Sequence, residues 1–176
     1  MTKNTNPMDT TFENFSAKSI KLGKDQTRVI VAGDVGCPDK VGDQTQFKEL
    51  TRNAIPHQDF LKAMNAFKSM LLTACGYSKT NIKKLTSNLE MIGISLSGTD
   101  ENEGAILSGK LSVLGGKIAL KTPRIVFSHD VIGIESTVED LVEDLKVEAH
   151  GYLFEDKRSD PELFEEPKVV EMQKAA

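Results

Sequence analysis

Leu89-Glu-Met-Ile-Gly-Ile-Ser-Leu-Ser97, Ala105-Ile-Leu-Ser-Gly-Lys-Leu-Ser-Val113 and Lys117-Ile-Ala-Leu-Lys-Thr-Pro-Arg-Ile-Val-Phe127 are three runs of strand-forming residues, and their reading decides the fold. The first alternates through Ile92, Ile94 and Leu96, and the second through Ala105, Leu107, Leu111 and Val113. The third carries Ile118 and Leu120, then Ile125 and Phe127 beyond Pro123. Period-two alternation of this kind marks strands with one face on a core. Gly98 to Gly104 and Gly115-Gly116 supply the turns, so an antiparallel meander is expected. Pro123 has no N–H for a ladder, which predicts a sheet edge or a bulge there.

Upstream of the meander, Phe60, Met64, Phe67, Leu71 and Ala74/Cys75 form an apolar stripe at helical spacing. Pro56 suits the first turn, Asp59 the positive end of the dipole, and Gly76 the end of the helix. Earlier still, Phe15 to Leu22 and Thr27 to Ala32 read as two strands joined by a hairpin turn at Gly23 to Gln26. The connection from Gly33 to Ile55 reads as a long loop, with room for a short helix around Thr45 to Asn53. Downstream, Ser136-x-x-Glu139 is a capping box. It opens a helix through Val138, Leu141, Val142, Leu145, Ala149, Tyr152 and Leu153. The order β-β-α-β-β-β-α predicts an α+β domain: a mainly antiparallel sheet with two amphipathic helices on one face. Residues 1–14 read as a polar lead, 15–155 as this single domain, and 156–176 as a charged tail.

Charge is segregated along the second half. Between Gly104 and Ser128 the charged residues are Lys110, Lys117, Lys121 and Arg124, whereas Glu135 to Glu148 carries six acids against Lys146. Acids near a helix N-terminus are ordinary. The cations are more informative, because Lys117 and Lys121 share a strand face opposite Ile118 and Leu120. Such a row suits phosphate contacts, although Phe127 is the only aromatic group in the stretch available for base stacking. Over the 176 residues the net charge is −4, so nucleic-acid binding requires a local patch rather than bulk charge.

Motifs for chemistry are incomplete. Gly104 to Lys110 has the GxxxxGK spacing of a phosphate-binding loop, but Leu111 follows where Ser or Thr is needed, and the interior residues form strands. Asp100 to Gly104 opens like a calcium loop with its glycine one position early. His57 with Asp59, or His129 with Asp130, would orient an imidazole for catalysis. Cys75, the candidate nucleophile, stands at the far end of the His57 helix, about 27 Å away at 1.5 Å per residue. Three histidines and two cysteines, Cys37 and Cys75, lack zinc-site spacing. No metal, cofactor or catalytic residue is therefore expected. The polar N-terminus has no apolar core of a signal peptide, and no run approaches a membrane span, so a cytoplasmic protein is expected.

The His57-x-Asp59-Phe60 helix start, Glu90-Met-Ile-Gly-Ile-Ser95, Gly104-Ala-Ile-Leu-Ser-Gly109 and Leu120-Lys-Thr-Pro123 resemble a group of small phage and prophage proteins of uncharacterised function. The resemblance spans about His57 to Phe154. It implies a setting among phage early genes for replication or recombination, in the host cytoplasm, and no particular activity. At fold level the meander and helix are also similar to the core of single-strand annealing proteins. The leading expectation is a non-enzymatic accessory protein that binds single-stranded DNA or another protein through Lys110, Lys117, Lys121 and Arg124. A self-assembling protein, or one that binds a phage or host protein without nucleic acid, is the first alternative. A small enzyme using His57 or the Gly33–Asp39 loop is the second.

Overall fold

The computed structural model describes residues 11–24, 26–36, 44–52, 54–99, 102–127, 138–155 and 157. The elements are β1 (Phe15–Leu22), β2 (Val29–Gly36), β3 (Gln44–Thr51), α1 (Gln58–Ala66), α2 (Lys68–Ala74) and α3 (Lys79–Leu85), followed by β4 (Leu89–Ser97), β5 (Gly104–Val113), β6 (Gly116–Lys121), β7 (Ile125–Val126) and α4 (Val138–Phe154). They form the expected α+β domain, built on one antiparallel sheet in the order β3-β2-β1-β4-β5-β6 with β7 beside β5. No helix among the described residues is long and apolar enough to cross a membrane. The Ser136 cap, the His129-Asp130 pair, residues 37–43, the acidic turn at 100–101 and the lead and tail beyond 11–157 lie outside the described residues.

Alternation puts Ile20 and Leu22 of β1, Val29 and Val31 of β2, Leu89 and Met91 of β4, and Leu107 and Leu111 of β5 on one face. All are buried there with Phe60, Met64, Phe67 and Leu71 from α1 to α2 and Val142, Leu145 and Tyr152 from α4. In β4 the core-facing set differs from the simple alternation of the sequence. A bulge between Met91 and Gly93 shifts the phase, so Leu89 and Met91 precede it and Ile94 follows it on the core side.

Three local outcomes correct the sequence reading. Residues 44–51, expected to be loop or short helix, are strand β3 on the open edge of β2. The segment has no apolar alternation, because an edge strand needs few core side chains; Leu50 packs partly against the core. The Thr51 hydroxyl donates to the Val29 carbonyl at 2.6 Å, and the Tyr152 hydroxyl lies 2.6 Å from the carbonyls of both Arg52 and Ala54. Second, the helix after Pro56 is two segments broken at Phe67, whose N–H reaches back to Met64. Third, α3 follows where no element was assigned, capped by the Ser78 hydroxyl. Gly76 does end α2. With φ at +85° it closes a Schellman motif, in which Gly76 N–H donates to Thr73 and Tyr77 N–H to Leu72.

Candidate nucleic-acid interface

Among the described residues, the sheet face opposite the helices contributes no apolar side chain to the buried core. Its composition follows from the same alternation: where Ile20 and Leu22 point inward, Lys21 between them points out. Cross-strand pairing then aligns residues from distant parts of the chain. Thr51, Ile30, Lys21, Gly93, Ser108 and Lys121 are successive partners across β3, β2, β1, β4, β5 and β6. Lys21 and Lys121 thus share one transverse row three strands apart, roughly 14 Å at the usual strand spacing. Glycine at 93 is required at this crossing, because a Cβ there would lie 2.8 Å from the Lys21 Cα and 2.9 Å from its Cγ. In the next row Lys110 stands between Glu90 and Ala119, also on the open face and exposed.

The four cations of the sequence expectation have three different environments. Lys110 and Lys121 are exposed on the open face. Lys117 is on the same face, but its ammonium donates to the Glu90 carboxylate at 2.9 Å. That bond, with a second from Gln26, holds the Glu90 carboxyl below its ordinary range. Arg124 serves the fold. Its Nε donates to the Ser97 hydroxyl at 3.0 Å, and Nη2 donates to the Ser97 carbonyl at 2.9 Å and to the Asn102 carbonyl. The guanidinium lies across Gly98 and Gly104, where side chains would collide with it. Arg124 can do this because the edge strand breaks just before it. The Thr122 N–H donates to the Leu107 carbonyl, and the Thr122 hydroxyl accepts the Leu107 N–H, both at 3.0 Å. One residue thereby satisfies both Leu107 backbone groups next to Pro123.

Three cations at the far end of the row were not singled out from sequence. Lys21, Lys24 and Arg28 line an open groove of about 770 Å³ at the β1–β2 hairpin, with Ile30, Ala54 and Ile55 as its apolar wall. Alternation in β1 marks Lys21 as outward. The pairing of β1 with β4, which joins this groove to the Lys110–Lys121 stretch, has no local signal. Lys18, another β1 cation, has its charge matched by Asp34 at 2.6 Å.

Among the described residues, the positions considered for catalysis have structural roles. His57 caps α1, its Nδ1 accepting the Asp59 N–H at 3.3 Å and lying 3.1 Å from the Asp59 carboxylate. Gly33 and Asp34 are in the body of β2, and Asp39 lies outside the described residues. Cys75 follows α2, and burial pushes its thiol up, away from the reactive thiolate. His150 is buried against Phe15 and Phe154, with Glu155 at 3.1 Å. Gly104 to Lys110 lies within β5, without the strand-to-helix turn of a phosphate loop. Among the described residues no group of three or more His, Cys, Asp and Glu is arranged to hold a metal. No family model, curated protein or solved structure matches the chain.

Proposed function

We propose that this chain is a non-enzymatic accessory protein of phage type that binds single-stranded nucleic acid across the open sheet face. The observation that carries the reading is the alignment of Lys21 with Lys121 in one row, with Lys110 beside it and Lys24 and Arg28 at its end. Three properties of this surface favour a polyanion. Lys21, Lys110 and Lys121 lie on paired strands, so their backbone loses little ordering entropy on binding. Backbone phosphates suit separated lysines, which act as point charges without a demand for bidentate geometry. Half-buried Ile30, the cross-strand neighbour of Lys21, and Ile106, beside the Ser108 row, offer apolar area for unstacked bases. The face lacks the aromatic platforms that give strong stacking, so affinity comes chiefly from counterion release and falls steeply with salt. The resemblance to phage early proteins supplies the setting, replication or recombination in the host cytoplasm.

Fluorescence anisotropy with a labelled single-stranded oligonucleotide, across a salt series, tests the reading. Binding whose logarithm falls linearly with the logarithm of salt is the expected outcome. Absence of binding at low salt, or binding indifferent to salt, overturns it.

A further inference from the structure

The groove at the β1–β2 hairpin, about 770 Å³ in volume, falls within the size range of small-ligand sites. Lys21 pairs with Ile30 there, and one step beyond the Leu22–Val29 pair the Gly23 N–H donates to the Arg28 carbonyl at 2.9 Å. The Arg28 stem lies across Gly23, where an added Cβ would come 2.8 Å from its Cγ. The apolar wall is held from the other side of the sheet. The Ala54 carbonyl accepts the Tyr152 hydroxyl at 2.6 Å, while Ile55 next to it is 44% exposed and leaves apolar area open.

The charge around this groove has one sign. Lys21, Lys24 and Arg28 are exposed, and among the described residues none of them is ion-paired and no acidic side chain lines the groove. Asp25, between them in sequence, lies outside the described residues. Glu90 takes a hydrogen bond from Gln26 of the same turn, but its charge is matched by Lys117 at 2.9 Å.

We propose that this groove takes the terminal phosphate of a single strand, while the lysines beyond it take internal phosphates. The proposal rests on the nucleic-acid reading above and names the part of the strand bound at this end of the surface. Charge density separates the two roles. An internal phosphodiester carries a single charge, which one lysine matches, and Lys110 and Lys121 stand one to a strand on β5 and β6. A terminal phosphomonoester carries a charge of about −1.5 to −2 at pH 7 and has three acceptor oxygens. Three cations around one groove match that charge, and the Arg28 fork can donate to two of the oxygens at once. Ile30, Ala54 and Ile55 then cover the terminal sugar or base. Either a 5′- or a 3′-phosphate supplies this chemistry, and the test separates them.

The test uses the full chain and one oligonucleotide sequence, labelled at an internal base. The oligonucleotide carries a 5′-phosphate, a 3′-phosphate, or hydroxyls at both ends. At fixed salt, anisotropy is expected to show a phosphorylated form bound about five- to tenfold more tightly than the hydroxyl form, the sum of several exposed ion pairs. Lys24→Ala combined with Arg28→Ala should abolish that difference. Lys110→Ala should weaken all three forms alike and preserve it. Equal affinity of the parent for the three forms overturns the inference and leaves the nucleic-acid reading standing. So does a preference that survives loss of Lys24 and Arg28, or one that Lys110→Ala abolishes as well. Binding of none of the three forms overturns both.

Discussion

Arg124 and Ser97 are joined twice, Nε to the serine hydroxyl at 3.0 Å and Nη2 to the serine carbonyl at 2.9 Å, and the same guanidinium reaches the Asn102 carbonyl. The arginine thus closes the mouth of the β4–β5 turn from the link between β6 and β7, which follows it in sequence. Gly98, at φ +93°, makes room for it and would be strained with a side chain. Replacing Arg124 by Ala is expected to cost about 1–2 kcal/mol of stability, the low end for hydrogen bonds from a charged group because the site is exposed. Arg124→Lys should not restore it, since an ammonium cannot span the same acceptors. Urea unfolding measures both; an alanine variant as stable as the parent contradicts the structural role.

Lys21, Lys110 and Lys121 make the opposite prediction. Each is exposed, and no ion pair binds any of them among the described residues. The triple alanine replacement should leave the unfolding midpoint nearly unchanged. Oligonucleotide affinity should fall, and the salt slope should flatten by roughly 2 if three phosphate contacts are lost at about 0.7 each. Arg124 does not belong in that set. A variant including it would mix lost binding with lost stability.

Tyr152→Phe removes a hydroxyl that lies 2.6 Å from two carbonyls, Arg52 and Ala54, just beyond β3. The ring is almost wholly buried, so packing survives and only the polar link is lost. A cost of about 1–2 kcal/mol is expected. Hydrogen exchange should quicken first in β3, whose other ties include its ladder to β2, the Thr51 hydroxyl and the partly buried Leu50. Uniform protection across the sheet in the variant would mean that Tyr152 does not anchor this edge.

Glu90 offers a pH test. Its hydrogen bond from Lys117 lowers the folded-state pKa, so its stabilising effect is complete above the unfolded glutamate value of about 4.3. The effect is lost as the pH falls through the lower folded value. Carbon-detected NMR titration should place Glu90 below the ordinary glutamate range, and Lys117→Ala should raise it. An unchanged titration in that variant would show that the ion pair is not formed in solution.

Gly93→Ala probes the crossing beneath the basic row. An added Cβ would meet the Lys21 backbone at 2.8 Å, and backbone cannot rotate away as a side chain can. The two central strands would have to separate. A loss of about 1–3 kcal/mol is expected from overpacking of this kind, read from thermal or urea unfolding.

The residues that were legible in sequence are those whose partners are close in the chain. Gly76 ends α2 because a left-handed residue and two local hydrogen bonds suffice. Leu111 and Ile118 meet through a hairpin only a few residues long. Strand β3 was missed because residues 44–51 carry no period-two apolar signal; the open edge of β2 recruits them. The helix break at Phe67 was hidden because both segments continue a single apolar stripe.

The candidate surface divides along the same line. By itself the sequence determined the class of the fold, the inward and outward faces of β5 and β6, and the exposure of Lys110 and Lys121. Those follow from alternation, which is a property of any local stretch of strand. Only the tertiary structure decided that β1 lies beside β4, which brings Lys21 into the row of Lys121 although 100 positions separate them. It also decided that Arg124 folds back onto Ser97. Both depend on which distant backbone groups pair, and that is settled by burial of the whole core rather than by any segment's own pattern.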